Sequence, residues 1–149
     1  MRLIPVDPKN ETHLKALYQL LEEREPWQSI SHKKMPTPTQ HEIFVQRMVP
    51  EGHCAAAGED GYAAWYLVTE MDSRIVGCIY LTERDEIGVS ISKADQGTGW
   101  GEAAVRMLMK GHGERRYLAN CNPANEPSRK MFEKLGFKLI QVTYALEVE

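Results

Sequence analysis

The sequence predicts a mixed α/β fold, and three observations carry that prediction. Strand-like alternation recurs three times between residues 63 and 92, with short turns between the runs, which is an antiparallel meander. The third run passes through a glycine-rich turn into a helix and then into another short strand. Such a strand–helix–strand crossover lays its two strands parallel. Helical periodicity before and after this block supplies elements to cover the sheet.

Taken in order, Arg2 to Val6 forms a first strand. Asp7-Pro8-Lys9-Asn10 turns the chain, and the Asn10 side chain caps the first helix. Leu14, Leu17, Tyr18 and Leu21 recur in that helix at helical spacing, to about Arg24. From Glu25 to Pro38 the prolines Pro26, Pro36 and Pro38 break any period. Thr39 opens a second helix, with Glu42 completing a capping box, and Pro50 ends it. Residues 51–61 form a loop. The strands of the meander run from Ala63 to Glu70, Arg74 to Leu81 and Glu86 to Ser92, the first two joined through Met71-Asp72-Ser73. Gly88, inside the last strand, is expected to mark a bulge. A helix ends near Gly111 to Gly113, Tyr117 to Cys121 is the crossover strand, and a helix from about Glu126 to Leu135 stops at Gly136. Phe137 to Val148 is expected as one or two further strands. Neither an internal repeat nor a low-complexity linker interrupts the chain, so residues 1–149 are expected to form one domain.

The turn Gln96-Gly97-Thr98-Gly99-Trp100-Gly101 joins strand to helix. A helix N-terminus leaves backbone N–H groups unpaired and carries partial positive charge. Glycines remove the Cβ atoms around those groups, so they can close on a phosphate. A tight turn that binds nothing is the plainer alternative. A P-loop is unsupported, because G-x-x-x-x-G-K-[ST] is absent. Gly99-Trp100-Gly101-Glu102-Ala103-Ala104 fits G-x-G-x-x-A. The strands before it read as hairpins, however, and no acid closes the next strand, so a dinucleotide site ranks low.

Composition narrows the class. Hydrophobic residues make up 42% and charged residues 26%, as in ordinary globular chains. A net charge of −3 argues against broad nucleic-acid binding. No apolar run reaches membrane-spanning length, and the first residues lack a signal-peptide core. Cys54, Cys78 and Cys121 show neither metal nor disulfide spacing. A cytoplasmic protein without a metal or a membrane partner is therefore expected.

The Gln96, Gly99 and Gly101 pattern, followed by a strand and then by Asn125, Ser128, Lys134, Gly136 and Phe137, resembles the GNAT acyltransferase superfamily. The first group resembles that family's acyl-CoA pyrophosphate loop, the second its N-x-x-S-x-x-x-Y-x-K-x-G-F helix. The resemblance covers roughly Tyr62 to Phe137. It implies a central mixed sheet of about six to seven strands, an antiparallel meander followed by a parallel pair splayed around acyl-CoA, with about four helices.

That resemblance also implies a chemistry. Acetyl-CoA is the acyl donor, with its pyrophosphate on the amides of Gly97, Thr98, Gly99, Trp100, Gly101 and Glu102, beside Gln96. Its pantetheine arm follows Val89, Ser90 and Ile91, and Asn125, Ser128 and Phe132 complete the cofactor side. Transfer goes to a primary amine by direct attack in a ternary complex. The acceptor is a small molecule, such as a nucleotide-linked amino sugar, or a protein N-terminus. Nucleic acid and membrane are not partners, and a homodimer is allowed. Glu86 resembles the glutamate that serves the family's histone acetyltransferases as base; read alone, it is a solvated carboxylate in an acidic turn with Glu83 and Asp85. Phe132 stands where the family often has the tyrosine that protonates the leaving thiolate, which leaves Tyr144 or water for that task. Trp27, His32 and Lys33 lie in the segment that walls the acceptor site in this fold. A non-catalytic acyl-CoA sensor is the alternative, and the phenylalanine at 132 slightly favours it.

Overall fold

The computed structural model describes residues 1–29, 34–49, 61–72 and 74–149. Its described strands form a five-stranded sheet whose spatial order follows the chain. β1 (Arg2–Pro5), β2 (Tyr62–Thr69), β3 (Ile75–Thr82) and β4 (Glu86–Ile91) are antiparallel neighbours. β5 (Leu118–Ala119) then joins β4 in parallel, as the crossover requires. The helix of that crossover is α3 (Trp100–His112).

Alternation along the strands divides the core in two. Leu67 and Val68 are neighbours in β2 and face opposite layers. Leu67, Trp65 and Cys78 pack with Leu17 and Leu20 of α1 (Glu11–Glu22) and with Val45 and Met48 of α2 (Pro38–Met48). Val68, Val76, Ile79, Leu81 and Ile87 pack with Ala104, Val105 and Leu108 of α3 and with Phe132 of α4 (Glu126–Lys134). The sheet is thus covered on both faces, and β4 runs between the two layers.

Helix starts follow local chemistry. The Asn10 carboxamide accepts from the amides of Thr12 and His13, and that of Asn125 accepts from Ser128. The second helix starts earlier than the expected Thr39. Thr37 is its cap and Gln40 the reciprocal partner, with Pro38 in the first turn. A proline there loses no helical hydrogen bond, so it selects Thr37 over Thr39. The helix ends at Met48; Pro50, residues 51–60 of the loop expected over 51–61, and Ser73 lie outside the described residues.

Two further expectations are corrected. Gly88 is not a bulge: β3 and β4 keep register through Tyr80↔Gly88, and the irregularities fall in the pairing of β2 with β3 instead. The glycine is there because the Tyr80 ring crosses it, as a Cβ would lie 2.0 Å from Tyr80 Cζ. The strands expected from Phe137 to Val148 do not form either. Residues 138–149 carry no regular secondary structure and are exposed, so the sheet has five described strands and not six to seven. An alternating sequence becomes a strand only where a neighbour completes its ladder.

Candidate active site

β4 ends at Ile91, a 3-10 turn spans Lys93–Asp95, and the chain enters α3 through Gly97 (φ 79°) and Gly99 (φ 89°). Those left-handed angles are why glycine is needed at both places. Gly99 is the helix N-cap and brings no side chain to satisfy the first amides. Among the described residues, none of the amides from Gly97 to Glu102 has a protein acceptor. Open space lies where a Cβ of Gly97 or Gly99 would stand. The turn is therefore a bare concave set of N–H donors at the positive end of a helix.

Side chains hold this turn in place. Arg74 binds Asp95 through two nitrogens, at 3.0 and 3.1 Å, and also pairs with Glu70. The Ser92 hydroxyl donates to Asp95, and that of Thr98 donates to the Asp95 carbonyl at 2.7 Å. Arg74 and Ser92 together hold the Asp95 carboxyl below its ordinary range. The Gln96 carboxamide donates to the Ile91 carbonyl at 3.0 Å, and Glu23, just past α1, accepts from the Lys93 amide at 2.9 Å. Glu102, in the first turn of α3, is neutralised by Lys134 at 3.0 Å and Arg106 at 3.1 Å, which lowers its carboxyl pKa. An anion near the bare amides thus meets a carboxylate already paired with two cations.

Pairing between β4 and β5 stops after Ile87↔Ala119, so β4 has a free edge from Gly88 onward. A groove of about 290 Å³ begins there, lined by Val89, Ser90 and Ile91 and continuing along Gln96, Gly97, Gly99, Trp100, Gly101 and Glu102. Asn125, Ser128 and Met131 form its opposite wall. A second, larger cavity of about 1090 Å³ shares Val89, Ser90, Asn125 and Ser128 with the groove and extends toward α1 and α2. The two spaces meet at the splay in the sheet.

The larger cavity is aromatic, with the carboxylates of Glu22 and Glu86 in its lining. Tyr62 and Tyr80 stack at 4.1 Å with an interplanar angle of 6°, and Trp65 meets Tyr62 edge-on at 4.9 Å. Burial pushes the Tyr62 and Tyr80 phenols above their ordinary range, so both stay neutral. Cys78, also on this wall, is pushed up to about 11 by burial. The Trp65 indole N–H is buried with no nitrogen or oxygen partner. Glu86 lines the same cavity, held by the Asn120 carboxamide and by the Thr82 hydroxyl at 3.4 Å. The Asn122 carboxamide donates to the Ser29 carbonyl at 2.7 Å, tying the end of the crossover to the segment after α1.

Most residues expected on the cofactor side converge on the groove; two stand apart. Thr98 turns back to Asp95 and does not line it. Phe132 lines the larger cavity and is a core residue, packed against Phe137 at 5.1 Å, with no proton to give. Trp27 is 41% exposed and borders the groove, not the larger cavity. Tyr144 is 90% exposed on the terminal segment and borders neither space. His32 and Lys33 lie outside the described residues. Sequence reasoning missed Tyr62, Trp65, Tyr80 and Asn120. Each looks like an ordinary strand or loop residue until strand pairing sets Trp65 against Tyr80.

A family model for the acetyltransferase (GNAT) domain matches residues 2–138. The chain belongs to the GNAT acetyltransferase family. No curated protein matches it at a significant level. Solved structures share the GNAT fold at low identity. One is a GnaT-family acetyltransferase from Bordetella pertussis, 19% identical, with a TM-score of 0.69 over 95% of this chain and 87% of that one. Another is an aminoglycoside 6'-N-acetyltransferase from Acinetobacter haemolyticus, 15% identical, with a TM-score of 0.63 over 100% of both chains. A third is a phosphinothricin acetyltransferase from Sinorhizobium meliloti in complex with acetyl-CoA. It is 16% identical, with a TM-score of 0.67 over 94% of this chain and 76% of that one. The GNAT family uses acetyl-CoA as its acyl donor. Among the described residues no helix is long and apolar enough to cross a membrane, and no group of His, Cys, Asp and Glu could hold a metal ion.

Proposed function

We propose that residues 1–149 act as one domain that binds acetyl-CoA and transfers its acetyl group to a primary amine within a ternary complex. The observation that carries this reading is the continuity of two spaces. A cradle of unpartnered amides, with no Cβ at Gly97 or Gly99, opens at Val89, Ser90 and Ser128 into a cavity whose lining includes the Glu86 carboxylate. Acetyl-CoA supplies an activated acyl group as a thioester. The amides from Gly97 to Glu102 hold its pyrophosphate, and the free edge of β4 from Val89 to Ile91 offers backbone partners to the amide-bearing arm. Asn125 and Ser128 face that edge from the other wall.

An attacking amine must lose a proton. Glu86 is the carboxylate on the β4 wall of the larger cavity, with its position fixed by Asn120 and Thr82. Strand rise places it roughly 10 Å along β4 from Val89, so it takes the proton through water. The neutral phenols of Tyr62 and Tyr80 orient the amine and do not compete as bases. With Phe132 in the core and Tyr144 on the exposed terminal segment, water protonates the departing thiolate.

The acceptor is a small-molecule amine. Stacked aromatic rings in a cavity that also holds the Glu86 carboxylate suit an ammonium group before it is deprotonated. A nucleotide-linked amino sugar combines a primary amine with a polar body. Free Cys78 and Cys121 are consistent with work in the reducing cytoplasm.

The test is thiol release from acetyl-CoA across a panel of amino sugars, aminoglycosides, polyamines and peptides, with acetyl-CoA affinity measured alongside. Turnover of an amine that Gly99→Val slows at subsaturating acetyl-CoA supports the reading. Tight acetyl-CoA binding without turnover of any amine supports the sensor instead, and the absence of acetyl-CoA binding overturns both.

A further inference from the structure

The inward face of α2 carries His41, Val45 and Met48, at the spacing of one helix stripe. Val45 and Met48 fill the core between α2 and the sheet. His41 stands where that stripe calls for a third apolar side chain, and it is only 6% exposed. Its ring meets Tyr18 edge-on at 5.4 Å and stacks with Phe44 at 6.4 Å. Neither supplies a hydrogen bond, since the Tyr18 hydroxyl donates to the Pro36 carbonyl at 2.8 Å. Among the described residues neither ring nitrogen of His41 has a hydrogen-bond or ion-pair partner, and burial lowers the imidazole below its ordinary range. Buried polar groups nearly always have a partner. His41 lines the larger cavity, so its partner can come from there.

The rings continue from His41. Phe44 meets Tyr62 edge-on at 6.4 Å, Tyr62 stacks on Tyr80, and Tyr80 pairs with Gly88 in the strand that carries Glu86. A molecule lying along this aromatic wall with its amine toward Glu86 presents its other end to His41. A neutral imidazole offers one N–H donor and one bare acceptor nitrogen. Charge decides what meets them. A second ammonium would enter a cavity already lined by Arg24 and Lys34, beside a Phe44 ring that carries the Arg47 guanidinium at 6.0 Å; Glu22 alone offsets them toward α1. A carboxylate or phosphate would gain most from a protonated imidazole, which burial among rings opposes. A hydroxyl needs no charge on either partner, and the aromatic faces cover the apolar side of the ring that bears it.

We infer, on the reading of the larger cavity as the acceptor site, that His41 hydrogen-bonds an uncharged hydroxyl on the acceptor, away from its amine, and so selects hydroxylated ring amines over plain ones.

Four amines on one cyclohexane ring provide the test: trans-4-aminocyclohexanol, cyclohexylamine, trans-1,4-diaminocyclohexane and trans-4-aminocyclohexanecarboxylate. Each is titrated into the full chain labelled with nitrogen-15 histidine, the His41 ring signal being assigned by its loss in His41→Phe. The alcohol should shift that signal and bind about threefold to tenfold tighter than cyclohexylamine, the span one hydrogen bond supplies. His41→Phe keeps an aromatic ring in the stripe and should erase the preference. His41→Gln keeps a donor and an acceptor and should restore part of it. Acetyl-CoA affinity should be unchanged in both. Where the alcohol is acetylated, the loss should fall on its KM and not on kcat. Equal binding of the alcohol and cyclohexylamine by wild type overturns the inference, and that comparison needs no variant to fold. An unmoved His41 signal, a preference that survives His41→Phe, or tighter binding of the diamine or the carboxylate overturns it as well. Absence of turnover with the preference intact overturns acetyl transfer and leaves His41 as a hydroxyl site; turnover without the preference does the reverse.

Discussion

A methyl group added at Gly88 tests the wall of the larger cavity. It would lie 2.0 Å from Tyr80 Cζ, 2.3 Å from the phenol oxygen and 2.4 Å from Cε1. The backbone at Gly88 is not left-handed, so alanine brings no strain of its own there. Ordinary contact begins at 3.4 Å, so the Tyr80 ring must move by about 1.4 Å. It is not free to do so: it stacks on Tyr62 at 4.1 Å and meets Trp65 edge-on at 6.5 Å. Overpacking of this kind costs about 1–3 kcal/mol. For a chain of this size that is a fall in Tm of about 2–12 °C. The displaced ring also opens the wall opposite Glu86, so KM for the amine should rise while acetyl-CoA affinity stays constant. Scanning calorimetry and steady-state kinetics read the two effects. In a Tyr80→Ala background the added methyl has no ring to meet, and its cost should vanish, a coupling of about 1–3 kcal/mol in a double-mutant cycle. Unchanged Tm and KM for Gly88→Ala would refute the reasoning, and so would an equal loss in the Tyr80→Ala background.

Three further outcomes are expected. Gly99→Val places a branched side chain in the cradle at φ 89° and should weaken acetyl-CoA binding about tenfold, or about 1.4 kcal/mol; equal titration curves for both proteins would remove the pyrophosphate from this turn. Glu86→Gln keeps the size and the contact with Asn120 but loses the basicity, so kcat should fall roughly 100-fold with acetyl-CoA affinity unchanged. Full kcat across the pH range would mean that another group takes the proton. Asp95 is held below its ordinary 3.8 by Arg74 and Ser92, so its contribution to stability is complete above that value and is lost as pH falls through the lower folded value. Asp95→Asn should therefore melt earlier than wild type at neutral pH and converge with it in strong acid. A gap in Tm that does not change with pH would show that the ion pair does not hold the turn.

The sequence by itself determined what depends on neighbours along the chain. The caps at Asn10 and Asn125, the meander and its parallel crossover, and the left-handed glycines that bare the first amides of α3 are local matters. Torsion preferences and the unpaired amides of a helix start act over a few residues, and each leaves its mark in the residues that carry it. Thr37 was legible too, since Pro38 marks the first turn, although Thr39 with Glu42 makes an equal capping box on spacing alone. Only the tertiary structure decided which side chains meet. Tyr62, Trp65 and Tyr80 become one wall through the pairing of β2 with β3, Asn120 reaches Glu86 through the pairing of β4 with β5, and Arg74 finds Asp95 across the sheet. The terminal segment shows the same limit from the other side. Its alternation is that of a strand, yet it is unpaired, because a strand is a property of two segments and none of the described strands completes its ladder.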